Sequence, residues 1–166
     1  MIEATTYPPA DEERMPNISK ILRFLDWIGR FPSAILGLII RLGIADVFWR
    51  SGQTKVDGWH VTDTTVQLFR NEYKVPLLSP EVAATLAAIQ EHLFSFLLII
   101  GLASRLSALG LLGMTAVIEI FVYPLNWPDH LLWAGCLLYV ITRGPGGISL
   151  DGLIRRRAEW SMGHRD

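Results

Sequence analysis

Two apolar runs in the middle of the chain, residues 82–103 and 106–123, constrain its fold more than any other feature. Each is long enough to cross a bilayer, whose hydrocarbon core takes about 20 apolar residues of helix. Only the turn Gly101-Leu102-Ala103-Ser104-Arg105 separates them, so they read as two membrane helices folded back on each other. Three ionisable side chains interrupt them: Glu91 and His92 in the first, Glu119 in the second. Glu91 lies 14 residues before Arg105 and Glu119 lies 14 after it. At about 1.5 Å rise per residue, both carboxylates sit roughly 21 Å from the turn, at one level of the membrane. A charge at that depth is costly and faces a bundle interior, a partner or a cavity.

The rest of the composition agrees with a membrane setting. The chain of 166 residues is 51% hydrophobic and 19% charged, whereas a soluble domain is about a quarter charged. The deficit falls between residues 31 and 143, where apolar runs alternate with short polar breaks. The expected fold is all-α, an integral membrane four-helix bundle with amphipathic interfacial helices at both termini. A net charge of −1 with no basic face argues against nucleic acid as a partner. The single cysteine, Cys136, permits no intrachain disulfide and excludes a thiol oxidoreductase working through its own dithiol. The first eleven residues are acidic and lack the basic-then-apolar layout of a cleaved signal, so the first span is expected to stay in the mature protein.

Taken in order, residues 1–16 are expected to be a disordered tail and 17–30 an interfacial helix capped by Asn17. In that helix Ile18, Ile21, Leu22, Leu25 and Ile28 follow helical spacing, and Lys20, Arg23 and Arg30 supply basic groups. Residues 31–143 form the four-span bundle. Its first span, 32–53, contains Arg41, expected to snorkel toward the inner headgroups, and Asp46 and Arg50, four apart and able to neutralise each other. A polar loop over 54–79 carries Trp59, Phe69 and Tyr73 and a short helix at 61–71, and Ser79 can cap the second span. Ser107, Gly110, Gly113 and Ala116 give the third span a small-residue strip for close helix packing. The fourth span runs from after Trp127-Pro128-Asp129 to Thr142, roughly 14 residues and short for a crossing. Residues 144–166 are expected to be a cytoplasmic amphipathic segment, in which a turn begun by Ser149-Leu150-Asp151 ends in Arg155-Arg156-Arg157.

Four spans put both termini on one side, and the basic residues choose it. Arg14, Lys20, Arg23, Arg30, Arg105, Arg143, Arg155, Arg156, Arg157 and Arg165 share a side, against Arg50, Lys55, Arg70 and Lys74 on the other. The excess of positive charge predicts cytoplasmic termini in a bacterial inner membrane.

Four pieces of the chain together resemble the DoxX family of small four-span bacterial and archaeal membrane proteins. They are Arg41-Leu42 followed by Phe48-Trp49-Arg50-Ser51-Gly52-Gln53-Thr54-Lys55, then Phe69 through Glu81, then Glu91 with Ile100 through Ala108, and last His130-Leu131-Leu132-Trp133 with Gly144-Pro145-Gly146-Gly147-Ile148-Ser149-Leu150-Asp151. Arg41, Gly52, Lys55, Arg105, Gly144, Pro145, Ser149 and Asp151 are the positions that carry the likeness. The resemblance implies a membrane subunit linked to redox chemistry, since the family is named for a protein associated with a thiosulfate:quinone oxidoreductase. Asp46 and Glu119 depart from the residues usual in the family.

The depth count brings Asp46, Arg50, Glu91, His92, Glu119 and His130 to the outer half of one bundle. Several uses of such a cluster compete. A quinone headgroup needs hydrogen-bond partners and a proton-exchanging carboxylate or histidine between apolar walls, which Glu91, Glu119 and His92 could supply. A metal would call on His92, His130 and the carboxylates, but no short ligand spacing supports one. A bis-histidine haem between His92 and His130 would be crowded by Glu91. Alternatively Glu91 pairs with Arg50 or Lys55, and Glu119 with His130, and the bundle is merely held in register. The chain would then be a structural or assembly subunit, its partners the lipid bilayer and other membrane redox subunits or further copies of itself. His60 and His164 receive no role, and no phosphate loop, nucleophile elbow or nucleotide fingerprint is present.

Overall fold

The computed structural model describes residues 16–162, so the expected tail lies, save for Pro16, outside the described residues. The chain divides into two units, 1–31 and 32–166. The first holds helix α1 (Pro16–Gly29). The side chains of Ile18, Ile21, Leu22, Leu25 and Ile28 are all exposed, and Phe24 stacks on Trp27 with ring centroids 6.1 Å apart.

The second unit contains α2 (Ser33–Gln53), a hairpin of β1 (Val56–Asp57) and β2 (His60–Val61), α3 (Asp63–Leu68), α4 (Pro80–Ile100), α5 (Ser104–Val117), α6 (Trp127–Arg143) and α7 (Leu150–Met162). Five-residue π-helical turns extend α3 through Phe69–Tyr73 and α5 through Ile118–Val122. The structure is mostly helical, as expected, and a two-stranded hairpin interrupts it, with Val56 opposite Val61 and Asp57 opposite His60. Gly58 at φ +61° turns it, a conformation that glycine adopts without strain. Helix α6, where the fourth span is expected, is longer than that expectation, 17 residues, because its first turn already begins at Trp127 with Pro128 beside it. Ser79 caps α4, its hydroxyl accepting from the Val82 amide at 3.4 Å.

Helices α2, α4, α5 and α6 pack side by side, α2 against α4 and α6, and α5 against the same two. The buried stripes follow helical spacing: Arg41, Ala45, Phe48 and Gly52 on α2; Ala84, Ala88, Glu91, Ser95 and Leu98 on α4; Ser104, Ala108, Leu111 and Thr115 on α5. Their centre is Ile44, Phe48, Leu98, Leu111, Leu137 and Val140, at most 3% exposed. The opposite faces are apolar as well: Val82, Leu86, Ile89, Leu93, Phe96 and Ile99 on α4 are all exposed. A helix apolar all round belongs in a core or a bilayer. Pro80–Ile100 and Ser104–Val122 each have the length and hydropathy of a membrane crossing, and Ile18–Gly29 with Ser33–Gln53 qualify only when taken together.

Small residues set how closely these helices meet. A Cβ on Gly110 would lie 2.3 Å from the Phe94 ring, whereas one on Gly113 would meet nothing within 4 Å. Gly110→Ala is therefore expected to cost about 1–3 kcal/mol through overpacking. Gly113→Ala should be neutral or stabilising by up to about 1 kcal/mol through helix propensity. Thermal unfolding of the two variants in mild detergent checks the difference.

The segment after α6 does more than leave the bundle. Arg41 does not snorkel to headgroups: it is 2% exposed, and its guanidinium donates to Pro145 O and Ile148 O at 2.9 Å each. Asp151 caps α5 from across the chain, its Oδ1 accepting from the Ala103 amide and its Oδ2 from the Ser104 amide, both at 2.9 Å. An anion at a helix N-terminus satisfies orphan N–H groups and complements the dipole. Ser149 donates to Gly146 O at 2.7 Å and accepts from the Gly152 amide at 3.0 Å, shaping the loop into the start of α7. Gly144 sits beside the Arg105 guanidinium, 3.5 Å from where a Cβ would lie. The residues 144–151 are thus built into the end of the bundle.

Candidate functional site

At the opposite end from that clamp, α2, α4, α5, α6 and the two π-helical turns enclose a cavity of about 610 Å³. Its walls are mainly apolar, among them Val47, Phe48, Leu86, Met114 and Ile118, and its polar groups are few. Ligand sites commonly combine such apolar walls with a small set of placed polar groups.

One polar group on the wall is Glu91, buried on α4, with the Lys55 ammonium 3.0 Å from its Oε1 and 2.9 Å from its Oε2. Lys55 also donates to Ser51 O at 3.2 Å and Ser51 Oγ at 3.0 Å, while the Ser51 hydroxyl donates to Glu91 Oε1 at 3.1 Å. Lys55 follows the end of α2, and its ammonium folds back one turn onto Ser51. Gly52 makes the meeting of α2 and α4 possible: a Cβ there would come within 3.2 Å of Glu91 Cβ and 2.8 Å of the His92 ring. The Gly-x-x-Lys pattern at 52–55 therefore has a physical meaning, a close approach followed by the cation that neutralises the facing acid.

The second polar group comes from Glu119 and His130. Glu119 lies on the π-helical turn that ends α5, and its Oε2 accepts from His130 Nδ1 at 2.5 Å. His130 is 5% exposed and lines the cavity beside Trp133, whose ring is 5.0 Å from it and 5.6 Å from that of Phe48. Above them Tyr73 and Tyr123 meet edge to face at 5.6 Å, with hydroxyls 3.5 Å apart, at the limit of a hydrogen bond. Burial, together with the neighbouring Tyr123, pushes the Tyr73 phenol above its usual range, so it stays a neutral donor at physiological pH. Gln90 and Asn126 complete the polar lining. Each π-helical turn contributes: Phe69 and Tyr73 from one, Ile118 and Val122 from the other. Such turns recur at functional sites.

The cluster drawn from the sequence is only partly assembled. Glu91 and His130 line one cavity, and Glu119 holds His130. Asp46 and Arg50 do not join them. They pair with each other at 2.8 Å on the outer side of α2, their side chains 56% and 79% exposed. Glu91 consequently takes Lys55 as partner rather than Arg50. His92 follows Glu91 by one residue and so points about 100° away around the helix. It stacks edge-on against Trp49 at 5.2 Å and lines a separate groove of about 660 Å³ with Gln53 and Trp59. Its Nδ1–H donates to Ala88 O at 2.7 Å, leaving Nε2 to accept from Gln53 Nε2 at 2.8 Å. The two histidines thus face different spaces, and the bis-histidine arrangement does not form. Among the described residues no three of His, Cys, Asp and Glu gather as a metal-binding group. Nothing in the residue pattern marks Ser51, Gln90, Tyr123 or Asn126 as site residues, and Tyr73 is legible there only as an interface-type aromatic.

A protein of Haemophilus influenzae described as uncharacterized is 31% identical to this chain over 135 residues, covering 75% of this chain and 86% of that protein. No solved structure matches the chain. Residues 36–124 match the profile of the DoxX family, a region that includes Gly52, Lys55, Glu91 and Glu119. With its bilayer-length apolar helices, this membrane protein belongs to the DoxX family.

Proposed function

We propose that the chain is an inner-membrane accessory protein of a redox system and that its cavity holds a quinone. The observation that carries this reading is the mainly apolar cavity of about 610 Å³ with Lys55–Glu91 and His130 on its wall. A quinone ring packs against apolar and aromatic walls, and its carbonyl oxygens need donors. The tyrosine hydroxyls and the side-chain amides of Gln90 and Asn126 are donors of that kind. Proton uptake by a reduced quinone needs an acid or imidazole within reach, the role proposed for Glu91 and for His130 backed by Glu119. The same proposal has α2, α4, α5 and α6 each crossing the bilayer and both termini in the cytoplasm, supported by the excess of Arg and Lys at the Arg105 end. In it α1 and α7 lie in the membrane surface, with Leu153, Ile154 and Trp160 of α7 as its exposed apolar groups.

The second reading, a non-catalytic assembly subunit bound to other membrane proteins or to further copies of itself, rests on one specific observation. Glu91 and Glu119 each already have a partner, Lys55 and His130 respectively. Both readings are tested together by purification in mild detergent followed by titration with a menaquinone or ubiquinone analogue. The expected result is binding approaching one quinone per chain, lost in Glu119→Gln and in a Lys55→Met, Glu91→Leu double variant that keeps the bundle folded. Unchanged ligand content in these variants, with loss of a co-purifying protein, would replace the first reading by the second.

A further inference from the structure

We infer that the cavity is loaded sideways from the bilayer, through a slot between α4 and α5 with Gly113 as its threshold, and that its ligand keeps a long apolar tail in that slot. The inference rests on the cavity being a ligand site and adds the class of ligand and its route.

Residues of α4 and α5 that face outward are found also inside. On α5 the outer row is Leu109, Gly113, Val117 and Ile120, and on α4 it includes Leu86, all exposed, whereas Ile89 and Leu93 turn toward the groove with Trp49 and Gln53. Three of these, Gly113, Val117 and Leu86, line the cavity at the same time. An exposed residue that also lines the cavity marks an opening; Leu78, Tyr123 and Asn126 mark a separate, more polar mouth at the loop end, which a solute from water would use. The floor of the slot is where Phe94 presses on Gly110 and joins the two helices. One turn further on, a Cβ at Gly113 would meet nothing within 4 Å. From the contact at Gly110 toward the π-helical turn, the helices therefore leave a gap that side chains do not fill.

The gap is apolar on both lips and leads to a polar wall at Glu91 and Lys55. Its chemistry matches a molecule with two parts, a hydrogen-bonding head that reaches the ion pair and a hydrocarbon tail that stays among acyl chains. A polar solute arriving from water has no use for an apolar lateral mouth, whereas a membrane-dissolved quinone with an isoprenoid tail has both parts.

The test compares two probes in nanodiscs of phosphatidylethanolamine and phosphatidylglycerol: a benzoquinone with a long isoprenoid tail, and the same ring without a tail. Binding is read at equilibrium from quenching of Trp133, using Trp133→Phe as the blank. A plug is installed after folding, by coupling a bulky maleimide to Gly113→Cys in a Cys136→Ala background, so that misfolding is not an issue. Expected is at least a tenfold loss of affinity for the tailed probe, with the tail-less ring held within about twofold. Equal loss of both probes, or loss of neither, would overturn the lateral slot while leaving the cavity as a quinone site. Failure of the tailed probe to bind the unaltered protein would overturn the quinone reading itself, and the slot with it.

Discussion

Lys55→Met is expected to destabilise the protein by about 3–5 kcal/mol, because it leaves a buried carboxylate without its cation. The Glu91 side chain is 3% exposed and Lys55 10%, so the loss of the cation leaves the carboxylate poorly solvated. The Ser51 hydroxyl still donates to Glu91, but one neutral hydrogen bond offsets only about 0.5–1.5 kcal/mol. Removing both charges is a different experiment. Lys55→Met combined with Glu91→Leu should return to within about 1–2 kcal/mol of the unaltered protein, since a well-packed apolar pair escapes the desolvation cost of the ions. Thermal or denaturant unfolding of the two single variants and the double gives the coupling directly. A Lys55→Met protein as stable as the original would mean that Glu91 is uncharged or hydrated, against the geometry seen at the cavity wall.

Arg41→Ala should cost about 3–5 kcal/mol, from the loss of a large buried side chain and from the two carbonyls it leaves without donors. The mechanism separates it from Lys55. Arg41 ties α2 to the loop between α6 and α7, so the earliest consequence is expected in residues 144–151 rather than at the cavity. Amide exchange should rise at Asp151 and at Ala103 and Ser104, whose N–H groups are held through this segment. Arg41→Lys is not a conservative change here. An ammonium cannot reproduce the planar fork that reaches Pro145 O and Ile148 O together. Gly101 belongs to the same assembly: at φ +73°, a Cβ on it would lie 2.5 Å from that of Ser149 and 2.6 Å from the Arg41 guanidinium. Exchange at 144–151 unaltered by Arg41→Ala would sink this account of the clamp.

The two effects lie at opposite ends of the bundle and so should add within about 0.5 kcal/mol when combined. One end is stiffened by hydrogen bonds from a buried arginine and a capping aspartate. The other is left open around a cavity bordered by π-helical turns. A rigid base beneath an accessible chamber is what a binding protein needs if it is to hold polar groups in place while a ligand comes and goes.

The residue pattern alone determined the helical character, the two bilayer-length helices and their turn, and the family. These follow from local properties: apolar length, helical spacing of small residues, and the Gly101 turn, where the backbone has to reverse. It also singled out Glu91, Glu119 and His130, because a charge within an apolar run is conspicuous wherever it points. Which charges meet was decided by tertiary structure. Counting depth from the turns treats a helix as a rod and ignores rotation about its axis. Asp46 and Glu91 can therefore share a level while one faces outward and the other inward. Adjacent Glu91 and His92 were bound to part company for the same reason, about 100° per residue. Arg41 has the composition of a snorkelling residue, and only the return of the chain after α6 brings carbonyls within its reach. The π-helical turns that carry Tyr73 and Glu119 have no residue signature, since one extra residue per turn is accommodated by packing between segments distant in sequence. Hydropathy is summed along the chain, but a site is made by the angles at which its helices face one another.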